Sequence, residues 1–193
     1  ALNLGRMVVD VVYLDVFNQD SLAIGLIRHM EVMSDSLGIA RSFNQFLYMR
    51  YIDIMDSNDS TRQMIMEAIE KSKENLRMNN RTKVSSLVTT GEFIETLFIT
   101  TQILEKRLHV GMEGNVEKEL LGTFRQLGDR LELLIELLDN VEDKGVAPAY
   151  YKEIEALNKG FKEIPNVGDG IMESVAWAEI VETIAQVRQQ IVM

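Results

Sequence analysis

Cysteine is absent from the 193 residues. The chain therefore forms no disulfide and performs no thiol chemistry, whichever compartment holds it. Proline occurs only twice, so little interrupts long helices. No uncharged apolar run reaches the roughly 18 residues that a membrane span needs. Basic residues are outnumbered: 20 Lys and Arg stand against 30 Asp and Glu, for a net charge of −10. No basic stripe exists, which disfavours nucleic acid bound through its phosphates and an anionic membrane surface. Residues 1–100 hold 10 basic and 13 acidic side chains, and residues 101–193 hold 10 and 17. This acidity reads as a solvated surface.

Catalytic motifs are missing too. Neither His29 nor His109 has the Glu-x-x-His spacing of di-iron bundles. There is no His-Glu-x-x-His zinc pair, no phosphate-binding glycine loop and no Gly-x-Ser-x-Gly elbow. Segment 164–170 places Asp169 between glycines but lacks the alternating oxygen ligands of a calcium loop. No metal site and no cofactor is expected.

What is present is apolar helical patterning. Apolar residues make up 46% of the chain and include 11 Met, a side chain that fills irregular helical cores. The most informative stretch is 82–107, TKVSSLVTTGEFIETLFITTQILEKR. Its apolar residues surround most of the helix, and Ser, Thr and Gly fill the gaps. A helix apolar nearly all round is enclosed by protein or lipid, and Glu92 and Glu95 in its middle favour protein.

The other segments arrange themselves around it. Residues 3–17 are valine-rich, yet Val8, Val11 and Val12 fit a helical face better than an alternating strand. Asn18 to Asp20 breaks this helix. A second runs over 21–37 and stops at Gly38, which suits a left-handed C-cap. A third covers 42–55. Residues 57–60 read as a turn, with Ser60 and Gln63 at capping-box spacing. A fourth helix follows to Met78, with Glu67, Glu70, Lys71, Lys73 and Glu74 on a wet face, and Asn79 with Asn80 ends it. Over 116–141, Leu120, Phe124, Leu127, Leu131, Leu134, Leu138 and Val141 form a heptad seam, which serves either bundle packing or self-association. A seventh helix starts at Pro148 and ends near Gly160; the last covers 171–192. The expected fold is all-α: an antiparallel bundle of about eight helices around the buried helix 82–107. It is either one domain over 1–193 with a soft division near 111–114, or two overlapping bundles sharing the central helix.

Carboxylates on apolar helices mark the candidate site. Asp10 lies among valines and shares a face with Tyr13. Glu92 and Glu95 are three apart, so both can face one neighbour. A buried carboxylate must be paired, hydrogen-bonded or protonated. Either Arg6, Arg28 or Tyr13 satisfies these acids structurally, or Asp10, Tyr13, Glu92 and Glu95 line a small polar ligand pocket.

The opening ALNLGRMVVDVVYLDVFNQ, LGI at 37–39 and FIETLFITTQI at 93–103 resemble a family of helical lipoproteins, of unassigned activity, from anaerobic Gram-negative bacteria. The matching positions are Asn3, Leu4, Gly5, Asp10, Tyr13, Ile94, Glu95, Thr101 and Gln102; the chain departs over 6–9, where the family has smaller residues. The resemblance adds Gln102 to the ligand candidates. It implies export, a lipid anchor through a removed N-terminal segment, compatible with a chain that opens on Ala1, and a helical domain facing the periplasm. It implies no reaction. The expected function is a non-enzymatic binding or structural domain of the cell envelope. The alternatives are a small-ligand-binding bundle and a cytosolic adaptor that dimerises through 116–141.

Overall fold

The computed structural model describes residues 1–41, 43–44, 58–108, 114–140, 149–164 and 175–192. Among these residues the protein is all helix with no strand. The elements are α1 (Leu2–Val16), α2 (Asp20–Ser36), α3 (Asn58–Met78), α4 (Thr82–Leu108), α5 (Gly114–Asp129), α6 (Leu131–Asp139), α7 (Ala149–Glu163) and α8 (Val175–Val192). If 114–139 is taken as one interrupted helix, seven of these elements stand among the described residues. Ala40, Arg41, Phe43 and Asn44 are helical too, at the start of the expected third helix; the rest of that helix, the loop at 164–170 beyond Ile164, His109 and the linker 111–113 lie outside the described residues.

The chain forms two compact units, Ala1–Phe93 and Ile94–Met193. The division falls inside α4, which contributes residues to each. No side chain of α4 from Val84 to Glu105 is exposed, in agreement with its all-round apolar pattern.

In the first unit, Leu4, Met7, Val8 and Val11 of α1 recur at helical spacing and are buried with Met30, Phe43, Ile65, Ile69 and Val88. Burial of this face overrides the local strand preference of valine. Three helices of this unit end alike. Asn18 and Asn80 have φ of 53° and 58°, and Gly38 has 67°. At each stop the next backbone N–H reaches back to the third-last helical carbonyl: Gln19 to Leu14, Ile39 to Ser34 and Arg81 to Leu76, at 2.8–2.9 Å. These are Schellman caps, and they satisfy carbonyls that the helix leaves open. The entry to α3 differs from the expected turn at 57–60. Residues 58–60 are already helical, and the Gln63 amide donates to Glu67 at 3.0 Å.

In the second unit, α7 packs on α8, and α5 and α6 pack on α7. The heptad seam is directed inward here: Phe124, Leu127, Leu131, Leu134 and Leu138 are buried. Phe124 lies 4.7 Å from the Phe161 ring and 5.0 Å from Trp177, separations at which tilted aromatic pairs attract. The expected unbroken helix over 116–141 is interrupted at Arg130. There the N–H bonds the Leu127 carbonyl at 3.1 Å, a tighter i→i+3 closure. Gly128, a weak helix former, sits just before the break. The Phe161 ring occupies the space that a Gly128 side chain would fill, 2.2 Å from its Cβ position.

Candidate functional site

The five residues marked by the sequence fall in different surroundings. Glu95 is the most enclosed, 1% exposed. Its carboxylate accepts from Arg188 Nε at 2.7 and 3.0 Å, and the Arg188 guanidinium stacks 4.2 Å from the Phe98 ring centroid. An acid, a cation and a ring are thus joined, with the guanidinium matched to both carboxylate and aromatic face. The partner is Arg188, not Arg6, Arg28 or Tyr13. Its signal was in the sequence: Arg188 follows Ile184 by four residues and precedes Ile191 by three, beside the buried seam of α8.

Glu92 pairs elsewhere. Lys73 Nζ lies 2.7 Å from Glu92 and 2.6 Å from Glu70. Lys73, expected on a wet face, is buried, because it stands four residues after Ile69 and three before Leu76. Burial alone lowers a lysine, but the charges and hydrogen bonds of Glu92 and Glu70 outweigh it and hold Lys73 above its ordinary value. Burial pushes the Glu92 carboxyl above the usual carboxylate range; Lys73 opposes this and Glu70 adds to it. Glu92 and Glu95 therefore do not face one neighbour: each bonds a cation on a different helix.

Asp10 is paired with Arg6 one turn earlier on α1, and Arg6 also donates to Asn3 at 3.0 Å. Tyr13 is exposed and stacks on Phe17 with centroids 4.8 Å apart. Gln102 donates to Glu105 on its own helix at 3.1 Å. Asp10 and Tyr13 belong to the first unit, Glu95 and Gln102 to the second. His29 bonds the Gly25 carbonyl at 2.8 Å on the helix surface. Among the described residues no three His, Asp or Glu side chains are grouped to hold a metal, and no helix is long and apolar enough to cross a membrane.

Two further features were not read from the sequence. A half-open cavity of about 420 Å³ in the second unit is lined by Arg125, Asp129, Glu132, Asn158, Phe161 and Lys162, with Gly128 beneath. It presents both charge signs around one ring, and Lys162 is ion-paired with Glu132. In the first unit, apolar side chains crowd the outer surface of α1 and α2: Val16 and Phe17 are each 55% exposed, Leu22 59%, Ile24 49% and Val32 72%.

The chain matches no family model, no curated protein and no solved structure.

The arrangement is thus one of committed interior ions and an apolar exterior face. Asp10 and Glu95 are each held by a guanidinium, and Glu92 by an ammonium. What the geometry offers for recognition is surface, together with the charged cavity of the second unit.

Proposed function

We propose that this protein is a non-enzymatic helical binding or structural domain that acts through the outer face of α1 and α2. The observation that carries the reading is the cluster of Val16, Phe17, Leu22, Ile24 and Val32, each about half or more exposed. Scattered apolar residues on a surface need no explanation, but Ile24 and Val32, eight residues apart, fall towards one side of α2, with Val16 and Phe17 at the turn before it, and an exposed apolar group at one helical hairpin marks a contact site. The ion-paired interior acids support it from the other side, since they act as scaffold. The compartment rests on the resemblance to the helical lipoproteins alone: export and lipid anchoring at the cell envelope. The test is site-specific photo-crosslinking in cells, with the reactive residue placed at 17, 22 or 32 and, as control, at the exposed Lys159. Discrete adducts at the three sites and none at 159 are expected. Equal labelling everywhere, or none, overturns the reading.

A second reading is favoured by the cavity: binding of a small zwitterion such as a free amino acid. Arg125 and Lys162 would face its carboxylate, Asp129 and Glu132 its ammonium, and Phe161 its apolar part. A thermal shift with one class of amino acid that disappears in Asp129→Asn tests it.

A further inference from the structure

The outer face of α2 carries a pattern that is complementary to itself. Ile24 lies eight residues from Val16 and eight from Val32, all three exposed. Arg28 stands one turn towards the C-terminus and Asp20 one turn towards the N-terminus. Both are exposed, and among the described residues neither has an ion pair inside the chain. Beside Ile24, Gly25 has open space where a side chain would be, with no atom within 4 Å of its Cβ position. Val32, the most exposed apolar residue of the helix, lies one turn beyond Arg28. Across the helix start, at the end of α1, stand Val16 and Phe17.

From this we infer that α2 docks antiparallel on α2 of a second copy of the chain, about a two-fold axis at Ile24. The inference rests on the reading of the α1–α2 surface as the contact face and names its partner. A two-fold axis at Ile24 sets that residue against its own copy. It brings Arg28 against Asp20 of the second copy, and Asp20 against the second Arg28, because the two lie equally far from the axis. Isologous contacts require this reciprocity. Gly25 lets the helix backbones approach closely at the axis, as small residues do in helix pairs. Val32 reaches towards the apolar turn, Val16 and Phe17, of the other copy. The turn matters for size: α2 alone is about 25 Å long at 1.5 Å per residue, and a specific interface needs roughly 1,000 Å² in total. The heptad seam of α5 and α6 is buried within its own unit.

The experiment is sedimentation velocity on the full chain from about 1 to about 100 μM, where a contact of modest size associates. The wild type is expected to become dimeric across this range, and Ile24→Asp to stay monomeric. Arg28→Asp and Asp20→Arg should each weaken association by roughly tenfold through like-charge contact. The double swap Asp20→Arg with Arg28→Asp should restore it. Far-UV circular dichroism confirms that each variant folds, and restoration by the swap cannot come from misfolding. A wild type that is monomeric at the highest concentration overturns the inference, as does a dimer indifferent to Ile24→Asp or a double swap no tighter than the single variants. Crosslinks at 17, 22 and 32 to a partner of another mass, with monomeric sedimentation, would keep the contact face and discard the second copy.

Discussion

Gly5 and Gly91 hold one helix crossing from its two sides. A methyl group on Gly5 would lie 1.9 Å from the Val88 carbonyl oxygen, and one on Gly91 would lie 2.0 Å from the Leu2 carbonyl oxygen. In both cases the obstacle is backbone, which cannot rotate away. The helices α1 and α4 therefore meet main chain to main chain, at a distance that suits weak Cα–H···O contacts. Gly5→Ala and Gly91→Ala should each destabilise the protein by at least about 3 kcal/mol, the upper end of overpacking costs. Together they should cost less than their sum, because the first methyl already forces the helices apart. Gly122, with open space at its Cβ position, gives the contrast: Gly122→Ala should stabilise by about 1 kcal/mol through helix propensity. Urea unfolding of the four variants checks all of this.

The Glu95–Arg188 pair predicts an asymmetry between breaking and replacing. Glu95→Ala leaves a guanidinium that is half enclosed and stacked on Phe98, and should cost about 3 kcal/mol or more. Arg188→Met takes the guanidinium from the buried carboxylate and should cost about as much. Glu95→Leu with Arg188→Met removes both charges, and should recover most of the loss, because the pair's attraction hardly exceeds its desolvation. A double-mutant cycle in urea measures the coupling. If Glu95→Ala costs less than about 0.5 kcal/mol, the surface range, the pair is not an interior contact.

Helix type and helix ends were legible because both are local. Val8 and Val11 with Leu4 and Met7 declare a buried face, and Asn18, Gly38 and Asn80 stand where a left-handed cap is needed. The enclosure of α4 was legible from the scarcity of charge around its circumference. The cations that satisfy its acids were harder. Lys73 and Arg188 do sit in register with apolar stripes, but the register of one helix does not say which other helix it meets. Glu92 and Glu95, adjacent on a wheel, thus looked like one site and belong to two. The break at Arg130 lies next to Gly128, on which Phe161 packs from a helix about 30 residues away, and the seam read along the chain looks continuous. The division between Phe93 and Ile94 lies inside a helix, where composition does not change.

Lys73 gives a pH-dependent test. Lys73→Met removes the cation from beside Glu92 and should destabilise the protein at pH 7 by about 3 kcal/mol. The sign of its pH dependence follows from Glu92. Burial already raises that carboxyl, and Lys73 opposes the rise, so in the variant the folded state holds the Glu92 proton more tightly still. A group with a raised folded pKa contributes stability below its unfolded value and loses it as pH rises through the folded one. The deficit of Lys73→Met should therefore shrink as pH falls from 7 towards the unfolded glutamate value of 4.5. In the wild type, Lys73 is itself raised above 10.5. Its contribution should persist up to that pH and fade only above it, as the ammonium deprotonates in the folded state. Unfolding free energies of both proteins across pH 4.5 to 11 check the two limbs. A deficit that is constant between pH 4.5 and 7 would mean that Glu92 does not depend on Lys73.

Tyr151 reports on the α6–α7 contact in solution. Its hydroxyl donates to the Asp139 carboxylate, and that bond, with smaller contributions from burial and from the charges of Asp139 and Glu155, raises the phenol to about 12. Ionising the tyrosine would remove the donor and place a second negative charge beside Asp139. In an absorbance titration of phenolate, the difference between wild type and Tyr151→Phe should therefore develop near pH 12. In Asp139→Asn the hydrogen bond loses its charged acceptor, and the same difference should move down towards the ordinary value of 10. The contact is at the surface, so the change should barely alter the melting temperature. A Tyr151 that titrates near 10 in the wild type would mean that α6 and α7 do not hold these two side chains together.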